Sequence, residues 1–457
     1  MLYHKFTDDT TALKIIRLFA IKYLYVYLAI DILGKLWYSG TSGYQIDFNI
    51  HKEYVASVVF FVLSWLHIRL KSHNKFTDTV VHILFLLYFI PLNSAFALNN
   101  LSWEFFVYSS VYLFLVQFVV CIPFYKTASY STEPEFNFAD AQRPNKRKKL
   151  QQFCVCMCIG FVFIKFIYNG MSFTVSLSDV YILREANHQR VLAMAGGILP
   201  YMITVWQNTI IYAVYFGMYC ALKYKKKVAL LVTLLCVLAM FSIDGSKAVI
   251  FFVVVVYFVY WCDRNGMLNR FDKMADIGLL LFMVLCLLIY KVCENFLPYI
   301  YIIRREMYMP AWINGMYYDF FSTNAKLLWS DRTFLLQRLI TSPYKESILD
   351  IISREYFHGA VRTPNTGMFA DAYMQCGVLG VLIYPILYRL IFKWAGKIFK
   401  EYGNGIEVLF GIFLAIQLTN IPLLNTGIIL SLVFFAYVAH MLPNVVVCKH
   451  KDNKKKG

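Results

Sequence analysis

Long apolar stretches alternate with short polar segments along almost the whole chain. Many of them reach the roughly 20 apolar residues that a helix needs to cross the hydrocarbon core of a bilayer. The pattern therefore predicts an all-α polytopic membrane protein with about twelve transmembrane helices. These spans are expected at 15–34, 54–70, 79–98, 105–124, 152–169, 198–222, 227–243, 247–262, 276–297, 374–392, 406–422 and 427–447.

The basic residues predict the orientation of these spans. Lys and Arg cluster in every second connection, at Lys126 and 143–149, at 223–227, at 264–273, at 393–400 and in the tail after residue 448. With a cytoplasmic N-terminus, all of these clusters lie on one side of the membrane. Because cytoplasmic loops carry an excess of Lys and Arg, both termini are predicted to be cytoplasmic.

Two connections on the opposite side are long. One covers residues 170–197, and the other runs over 298–373, between the ninth and tenth predicted spans. Within the second, residues 329–357 carry apolar positions at spacings of three and four, which is typical of an amphipathic helix at the membrane interface. We therefore expect a large, helical external loop there.

This pattern divides the chain into consecutive segments. The predicted organisation is an N-terminal four-helix transmembrane group (1–124), a flexible basic cytoplasmic linker (125–151), central transmembrane helices (152–297), the large external loop (298–373), C-terminal transmembrane helices (374–448) and a basic cytoplasmic tail (449–457).

Composition agrees with a membrane protein and limits the chemistry. The chain is 59% hydrophobic and 16% charged, with a net charge of +17. Because the positive charge is scattered between apolar spans, it does not indicate a nucleic-acid surface. Most of the 11 cysteines lie within apolar spans, without the convergent spacing of metal ligands. No metal site or soluble cofactor is expected.

The predicted external loops are unexpectedly rich in arginine. A guanidinium group binds the paired oxygens of a phosphate, so this enrichment predicts a diphosphate-binding site. Salt bridges with nearby carboxylates, or contacts with lipid headgroups, are the alternative for any single arginine. The arginines concerned are Arg184, Arg190, Arg304, Arg305, Arg332, Arg338, Arg354 and Arg362.

Two further segments on this side carry candidate chemistry. The polar turn at 243–248 places Lys247 at the start of the following helix, where a phosphate is favoured. The segment at 358–380 contains His358, Asp371 and several glycines that permit close packing. His358 or Asp371 is a candidate base for a sugar hydroxyl. A solvated histidine and a helix-capping aspartate are the alternatives.

The SIDGSKAV turn and the segment RTPNTGMFADAYMQCGVLGVL resemble the Wzy-type polymerases of O-antigen and capsular repeat units, which are integral membrane glycosyltransferases of Gram-negative bacteria. The Tyr181-x-x-Arg184 element and the dominant late external loop are also similar. The resemblance implies a GT-C-like fold in the inner membrane with a periplasmic active site. Lys247 departs from the more common Gly-Ser-Arg turn, which puts a bidentate phosphate contact there in doubt.

The resemblance also implies an activity. Undecaprenyl-diphosphate-linked oligosaccharides would serve as donor and acceptor in an inverting, metal-independent glycosyl transfer without a cofactor, and a chain-length regulator would be a partner. Arg184, Arg190, Lys247 and Arg362, with Arg304 and Arg305, would bind the leaving diphosphate. His358 or Asp371 would activate the acceptor hydroxyl.

Three other functions fit parts of the sequence. An O-antigen ligase would share the helix number, the external arginines and a late loop histidine. A flippase for the same lipid-linked sugar would instead place charges along a central cavity. A membrane O-acetyltransferase would use an early histidine near basic residues, as His67 and His73 flank Arg69 and Lys71. A basic topology signal with incidental histidines explains the last arrangement more simply.

Overall fold

The computed structural model describes residues 10–35, 46–72, 74–122, 139–168, 198–244, 247–331, 339–358, 364–424, 432 and 435–440. Within these ranges the regular secondary structure is helical, as the apolar pattern predicts. Helices lie at the positions of the predicted spans as far as residue 420. Most of the last predicted span, 427–447, lies outside the described residues.

The helices in the first part of the chain are α1 (Thr11–Leu28), α2 (Ile50–Arg69), α3 (Lys75–Leu84), α4 (Ile90–Leu98), α5 (Trp103–Cys121), α6 (Ala139–Tyr168), α7 (Ile198–Lys223), α8 (Lys227–Asp244) and α9 (Lys247–Arg264). Those that follow are α10 (Phe271–Cys293), α11 (Met309–Thr323), α12 (Ile348–Phe357), α13 (Met368–Cys376), α14 (Val378–Lys400) and α15 (Asn404–Asn420).

Four helical segments among the described residues are long and apolar enough to cross a membrane. They are Lys75–Leu98, Trp103–Cys121, Leu268–Cys293 and Val378–Lys400. The first is an inner segment, since 94% of its apolar window is buried, whereas only 17% of the Leu268–Cys293 window is buried. The prediction of about twelve spans stays a prediction.

The chain forms two compact units. The first contains the described residues of Met1–Phe124, Cys262–Lys400 and Glu407–Ile429, and the second those of Tyr125–Trp261, Glu401–Ile406 and Leu430–Gly457. In the first unit, α5 packs against α14, α1 against α10, and α11 against α13. In the second, α6, α7 and α8 pack against one another. The N-terminal helices thus share a unit with later parts of the chain.

Polar residues mark where several helices begin. The side chain of Asn49 accepts hydrogen bonds from the first backbone N–H groups of α2, and Asn74 does the same for α3. Ser102 caps α5 and Ser347 caps α12 in the same way. Because the first N–H groups of a helix lack intrahelical partners, these caps fix the helix starts.

Three π-helical segments lie among the described residues, Ala29–Leu33, Phe85–Phe89 and Tyr299–Tyr308, and the last two are each followed closely by a proline. Phe85–Phe89 precedes Pro91 at the start of α4, and Tyr299–Tyr308 precedes Pro310 at the start of α11. A proline has no N–H to donate, and its ring collides with the carbonyl four residues earlier. A wider turn relieves that collision, which explains the position of both π segments.

The segment 298–373, which is predicted to be external, is less uniformly helical than expected in its described residues. The π segment and α11 cover Tyr299–Thr323, and α13 begins at Met368, before the predicted span. The predicted amphipathic helix over 329–357 is too long, because of its described residues, 329–331 and 339–357, only Ile348–Phe357 is α-helical. Pro343 lacks an N–H, and Ser347 caps a new helix start.

The predicted linker also differs from expectation in part. Helix α6 begins at Ala139, so its first turns lie within the segment 125–151 for which a flexible connector was expected. Alanine, glutamine, lysine and leucine in this stretch are strong helix formers, and their propensity outweighs the lack of apolar periodicity.

Candidate functional site

The structure describes some of the predicted site residues and not others. Arg184, Arg190 and Arg362 lie outside the described residues. Lys247 is the first residue of α9, but its side chain is likewise outside them. The remaining predicted site residues are Asp371, His358, Arg304 and Arg305, and all four belong to the first unit.

Asp371 is fully buried in the first turns of α13. Its Oδ2 atom accepts a hydrogen bond of 2.9 Å from the backbone N–H of Leu423. The hydroxyl of Tyr384 lies 3.5 Å from Oδ1, at the limit of a hydrogen bond. The carboxylate therefore joins α13 to the chain after α15 and to α14. This arrangement fits a positioning role better than direct contact with a substrate.

The start of α13 is held by side chains from two other helices. The N–H of Phe369 donates to the Tyr88 hydroxyl at 2.7 Å, and the N–H of Ala370 donates to Oδ1 of Asn314 at 2.8 Å. Tyr88 itself donates to the same Asn314 oxygen. These N–H groups are thus already bonded within the protein. The beginning of α13 is therefore not an open anion site.

A glycine makes this arrangement possible. A Cβ atom at Gly367 would lie 2.5 Å from a ring carbon of Tyr88 and 2.9 Å from both Nδ2 of Asn314 and the carbonyl oxygen of Thr419. Only glycine lets these three elements approach the chain so closely. Residues 364–367 lead into α13. They are held by these close contacts at Gly367 and by a 2.9 Å hydrogen bond from the Tyr317 hydroxyl to the Pro364 carbonyl.

His358 lies in a different environment from Asp371. It ends α12 in a left-handed conformation with φ of +48°, and its side chain is exposed. Its backbone N–H donates to the Ser353 carbonyl and closes the last turn. Of the two predicted catalytic residues, His358 is accessible from solvent and Asp371 is not.

Arg304 and Arg305 lie on the π segment Tyr299–Tyr308. Arg304 is half-buried, whereas the side chain of Arg305 is 59% exposed. Single π turns inside helices are frequent at functional sites. The two guanidinium groups are thus held on an ordered helical element of the segment that is predicted to be external.

Glu306, which the sequence reasoning missed, stands beside these arginines. Its Oε1 is 3.7 Å from Nε of Arg305, and its Oε2 accepts a 3.2 Å hydrogen bond from Asn420. Burial raises the pKa of the Glu306 carboxyl, and Arg305 and Asn420 only partly oppose this. A carboxylate directly after two arginines was the signal available in the sequence.

Three tyrosines from different helices meet near the same end of the unit. The ring centroids of Tyr318 and Tyr373 are 4.7 Å apart, and Tyr108 lies 6.0 Å from each of them. Nζ of Lys326 is 5.1 Å from the centre of the Tyr373 ring. Aromatic faces with a polar edge suit stacking against sugars. The predicted topology puts all of these residues on the external side.

No family model, curated protein or solved structure matches this chain.

Proposed function

We propose that this protein is an inner-membrane glycosyltransferase that polymerises undecaprenyl-diphosphate-linked oligosaccharide repeat units of a surface polysaccharide, O-antigen or capsule, on the periplasmic side. The observation that carries the proposal is the ordered helical segment Tyr299–Thr323, which the predicted topology puts outside the membrane. It carries Arg304 and Arg305 on a π-helical element beside the half-buried carboxyl of Glu306. Paired guanidinium groups suit the oxygens of a lipid diphosphate.

The chemistry follows from these groups. A hydroxyl oxygen of the acceptor's terminal sugar attacks the anomeric carbon of the donor, and the bond from that carbon to the diphosphate breaks. The diphosphate leaves with the bonding electrons, held by Arg304 and Arg305 and, as the sequence predicts, by Arg362. The hydroxyl proton passes to a base of the protein. In-line attack inverts the anomeric centre.

His358 is our preferred base, because its ring is exposed and a neutral imidazole nitrogen can accept the proton of a hydroxyl. Asp371 has both carboxylate oxygens directed at its own chain and Tyr384, so we assign it to positioning α13. Glu306 is a second candidate, since a carboxyl with a raised pKa is suited to proton transfer. The tyrosine group of Tyr108, Tyr318 and Tyr373 would stack against sugar rings.

The test is the surface polysaccharide of a strain deleted for this gene, resolved on a gel. Lipid A core carrying a single repeat unit is the expected phenotype, and the wild-type gene should restore the ladder. His358→Ala, Arg362→Ala and Arg305→Ala should fail to restore it at normal membrane levels. Arg354→Ala is the matched control, since Arg354 is an exposed arginine one turn before His358 that pairs with Glu346 at 2.7 Å.

Two other results would replace this proposal. Bare lipid A core, with polymer accumulating on undecaprenyl diphosphate, would identify a ligase. Repeat units trapped in the cytoplasmic leaflet would identify a flippase. In either case the external arginines would serve a different step from polymerisation.

A further inference from the structure

A basic cavity lies at the end of the first unit that the predicted topology puts in the cytoplasm. Its volume is about 420 Å³, and it is enclosed by the ends of α1, α2, α3 and α10. Its inner wall contains the buried residues His67, His82 and Asp276, and its exposed lining residues are Lys71, Asn269 and Arg270. The exposed residues mark its mouth. In the predicted topology, lipid headgroups and soluble molecules both reach this mouth.

Both signs of charge line the cavity, with positive charge in excess. Oδ2 of Asp276 is 2.7 Å from Nε of Arg17, and Oδ2 of Asp272 is 3.0 Å from Nζ of Lys71. These two aspartates face five cationic side chains, which are Lys14, Arg17, Lys71, Arg270 and Lys273. The excess disfavours a metal cation and favours a ligand with an anionic group.

The histidine pair in the inner wall provides a hydrogen-bond donor. Nε2 of His82 is 3.1 Å from both the carbonyl oxygen of Asp272 and Oδ1 of Asp276. Contact with a carboxylate favours the imidazolium form of His82, which carries a hydrogen on each nitrogen. Its Nδ1–H then donates to Nε2 of His67, 2.9 Å away, so His67 carries its own hydrogen on Nδ1. That N–H has no hydrogen-bond partner among the described residues, although His67 is only 5% exposed.

The two aspartates provide hydrogen-bond acceptors in the same lining. Oδ1 of Asp272 is buried without a hydrogen-bond partner among the described residues, since Lys71 contacts only Oδ2. Oδ1 of Asp276 lies beside the charge of His82 but accepts no hydrogen bond, because the Nε2 hydrogen is directed at the Asp272 carbonyl oxygen. Buried polar atoms in native proteins are nearly always hydrogen-bonded. A single ligand that satisfies this lining therefore carries an anionic acceptor and a cationic donor close together.

We propose that this cavity binds a phosphoethanolamine group, a phosphodiester joined by two carbons to a primary ammonium. The phosphodiester oxygens accept the hydrogen on Nδ1 of His67. They also pair with Lys14 and Arg270, which have no carboxylate partner among the described residues. The ammonium N–H groups donate to Oδ1 of Asp272 and Oδ1 of Asp276.

The lining distinguishes this group from its chemical neighbours. A phosphocholine group has the same charges, but its quaternary nitrogen has no N–H to donate. A simple phosphate lacks the cationic donor and leaves the two aspartate oxygens unbonded. The group comes from the headgroup of phosphatidylethanolamine or from a soluble ethanolamine phosphodiester. The site does not depend on the proposed transferase activity.

The first experiment is a calorimetric titration of the full-length protein in detergent with glycerophosphoethanolamine and, separately, with glycerophosphocholine. These soluble diesters differ only in the three methyl groups that replace the N–H hydrogens. Glycerophosphoethanolamine should bind saturably and about tenfold more tightly, which corresponds to about 1.4 kcal/mol. Inorganic phosphate should bind more weakly than glycerophosphoethanolamine. If inorganic phosphate binds most tightly, the cavity is a simple anion site and the proposal is wrong.

Three variants separate the two halves of the ligand, and their positions are exposed or half-buried. Lys14→Gln and Arg270→Gln should each weaken the binding of both diesters by about fivefold and leave the preference between them unchanged. Asp272→Asn removes the charge that attracts the ammonium, so the preference for glycerophosphoethanolamine should fall to about twofold. Lys226→Gln is the control, since Lys226 is an exposed lysine of the second unit and should have no effect.

A second measurement distinguishes the two sources of the group. Native mass spectrometry of the protein released from nanodiscs of equal phosphatidylethanolamine and phosphatidylcholine shows which lipid it retains. Retention of phosphatidylethanolamine, reduced in Asp272→Asn, without binding of the soluble diester would identify the lipid headgroup. Binding of the soluble diester alone would identify a soluble source. The proposal is overturned if neither binds, if the ethanolamine and choline ligands bind alike, or if the variants bind as the wild type does.

Discussion

Buried polar groups are arranged differently around α13 and around the basic cavity lined by Lys14, His67 and Asp272. At α13, the side chains of Asp371, Tyr88 and Asn314 accept hydrogen bonds from backbone N–H groups. In the cavity, Nδ1 of His67 and Oδ1 of Asp272 are buried without a hydrogen-bond partner among the described residues. The first arrangement is complete within the protein, whereas the second leaves buried polar atoms unbonded.

This difference separates structural from binding roles more reliably than residue type does. An aspartate beside glycines in a polar segment is typical of a catalytic group. The Asp371 carboxylate instead accepts hydrogen bonds from the Leu423 N–H and the Tyr384 hydroxyl, and so connects α13 to other parts of the first unit. A histidine next to basic residues is typical of a topology signal, yet His67 lines a charged cavity with its Nδ1 atom unbonded. Whether the polar atoms are satisfied distinguishes the two cases.

The largest effect is expected from Asp371→Ala. The change removes the acceptor of the Leu423 N–H and leaves that donor buried, which should lower the free energy of unfolding by about 3 kcal/mol. Thermal melting in detergent and the protein level in membranes measure this. Asp371→Asn retains one acceptor oxygen, so its free energy of unfolding should fall by less than that of Asp371→Ala.

Asp350→Ala is the control for this prediction. Because Asp350 is exposed in the first turn of α12, this substitution should change the free energy of unfolding by no more than about 0.5 kcal/mol. The opposite outcome would be informative. If Asp371→Ala melts normally and reaches the membrane at wild-type levels but yields no polysaccharide ladder, Asp371 acts in the reaction and our structural assignment is wrong.

A smaller loss is expected from Gly380→Ala. A Cβ atom at Gly380 would overlap the carbonyl oxygen and carbon of Ala372, so α14 must shift away from α13. Overpacking of this kind typically costs about 1–3 kcal/mol, and the melting temperature should fall accordingly.

Gly278→Ala is the matched control, because a Cβ atom there would meet nothing within 4 Å. Alanine is the better helix former, so this variant should melt at or slightly above the wild-type temperature. Equal melting of the two alanine variants would mean that α13 and α14 do not pack as closely as the structure places them.

The apolar pattern predicted the helical class and the position of most helices, because each helix depends on residues close to one another in sequence. It also predicted that glycines after Asp371 permit close packing, in agreement with the contact between Gly380 and Ala372. These features are local. Pro343 and the Ser347 cap, which shorten the predicted amphipathic helix, were also visible in the sequence but were outweighed by its apolar spacing.

The polar networks could not be predicted, because their partners are far apart in the chain. Asp371 meets Leu423, and His82 meets Asp272 and Asp276, across separations that no spacing pattern encodes. His67 was noticed only through neighbours such as Arg69 and Lys71, whereas its hydrogen bond is to His82. Its role depends on tertiary packing, which a single sequence does not specify.

The smallest effect is expected from Asp272→Asn in the basic cavity. The Asp272 carboxylate neutralises Lys71, and both side chains are partly exposed, at 30% and 45%. Exposed pairs of this kind contribute about 0.2–1 kcal/mol, so Asp272→Asn should lower the free energy of unfolding by no more than about 1 kcal/mol.

Thermal melting in detergent measures this loss, and Asp350→Asn, which is not part of the cavity lining, controls for the change in net charge. The loss should shrink at high salt, because screening weakens the attraction between Lys71 and Asp272. A loss of about 3 kcal/mol, as large as that expected for Asp371→Ala, would instead mean that the cavity resembles the region around α13 in depending on its internal pairs.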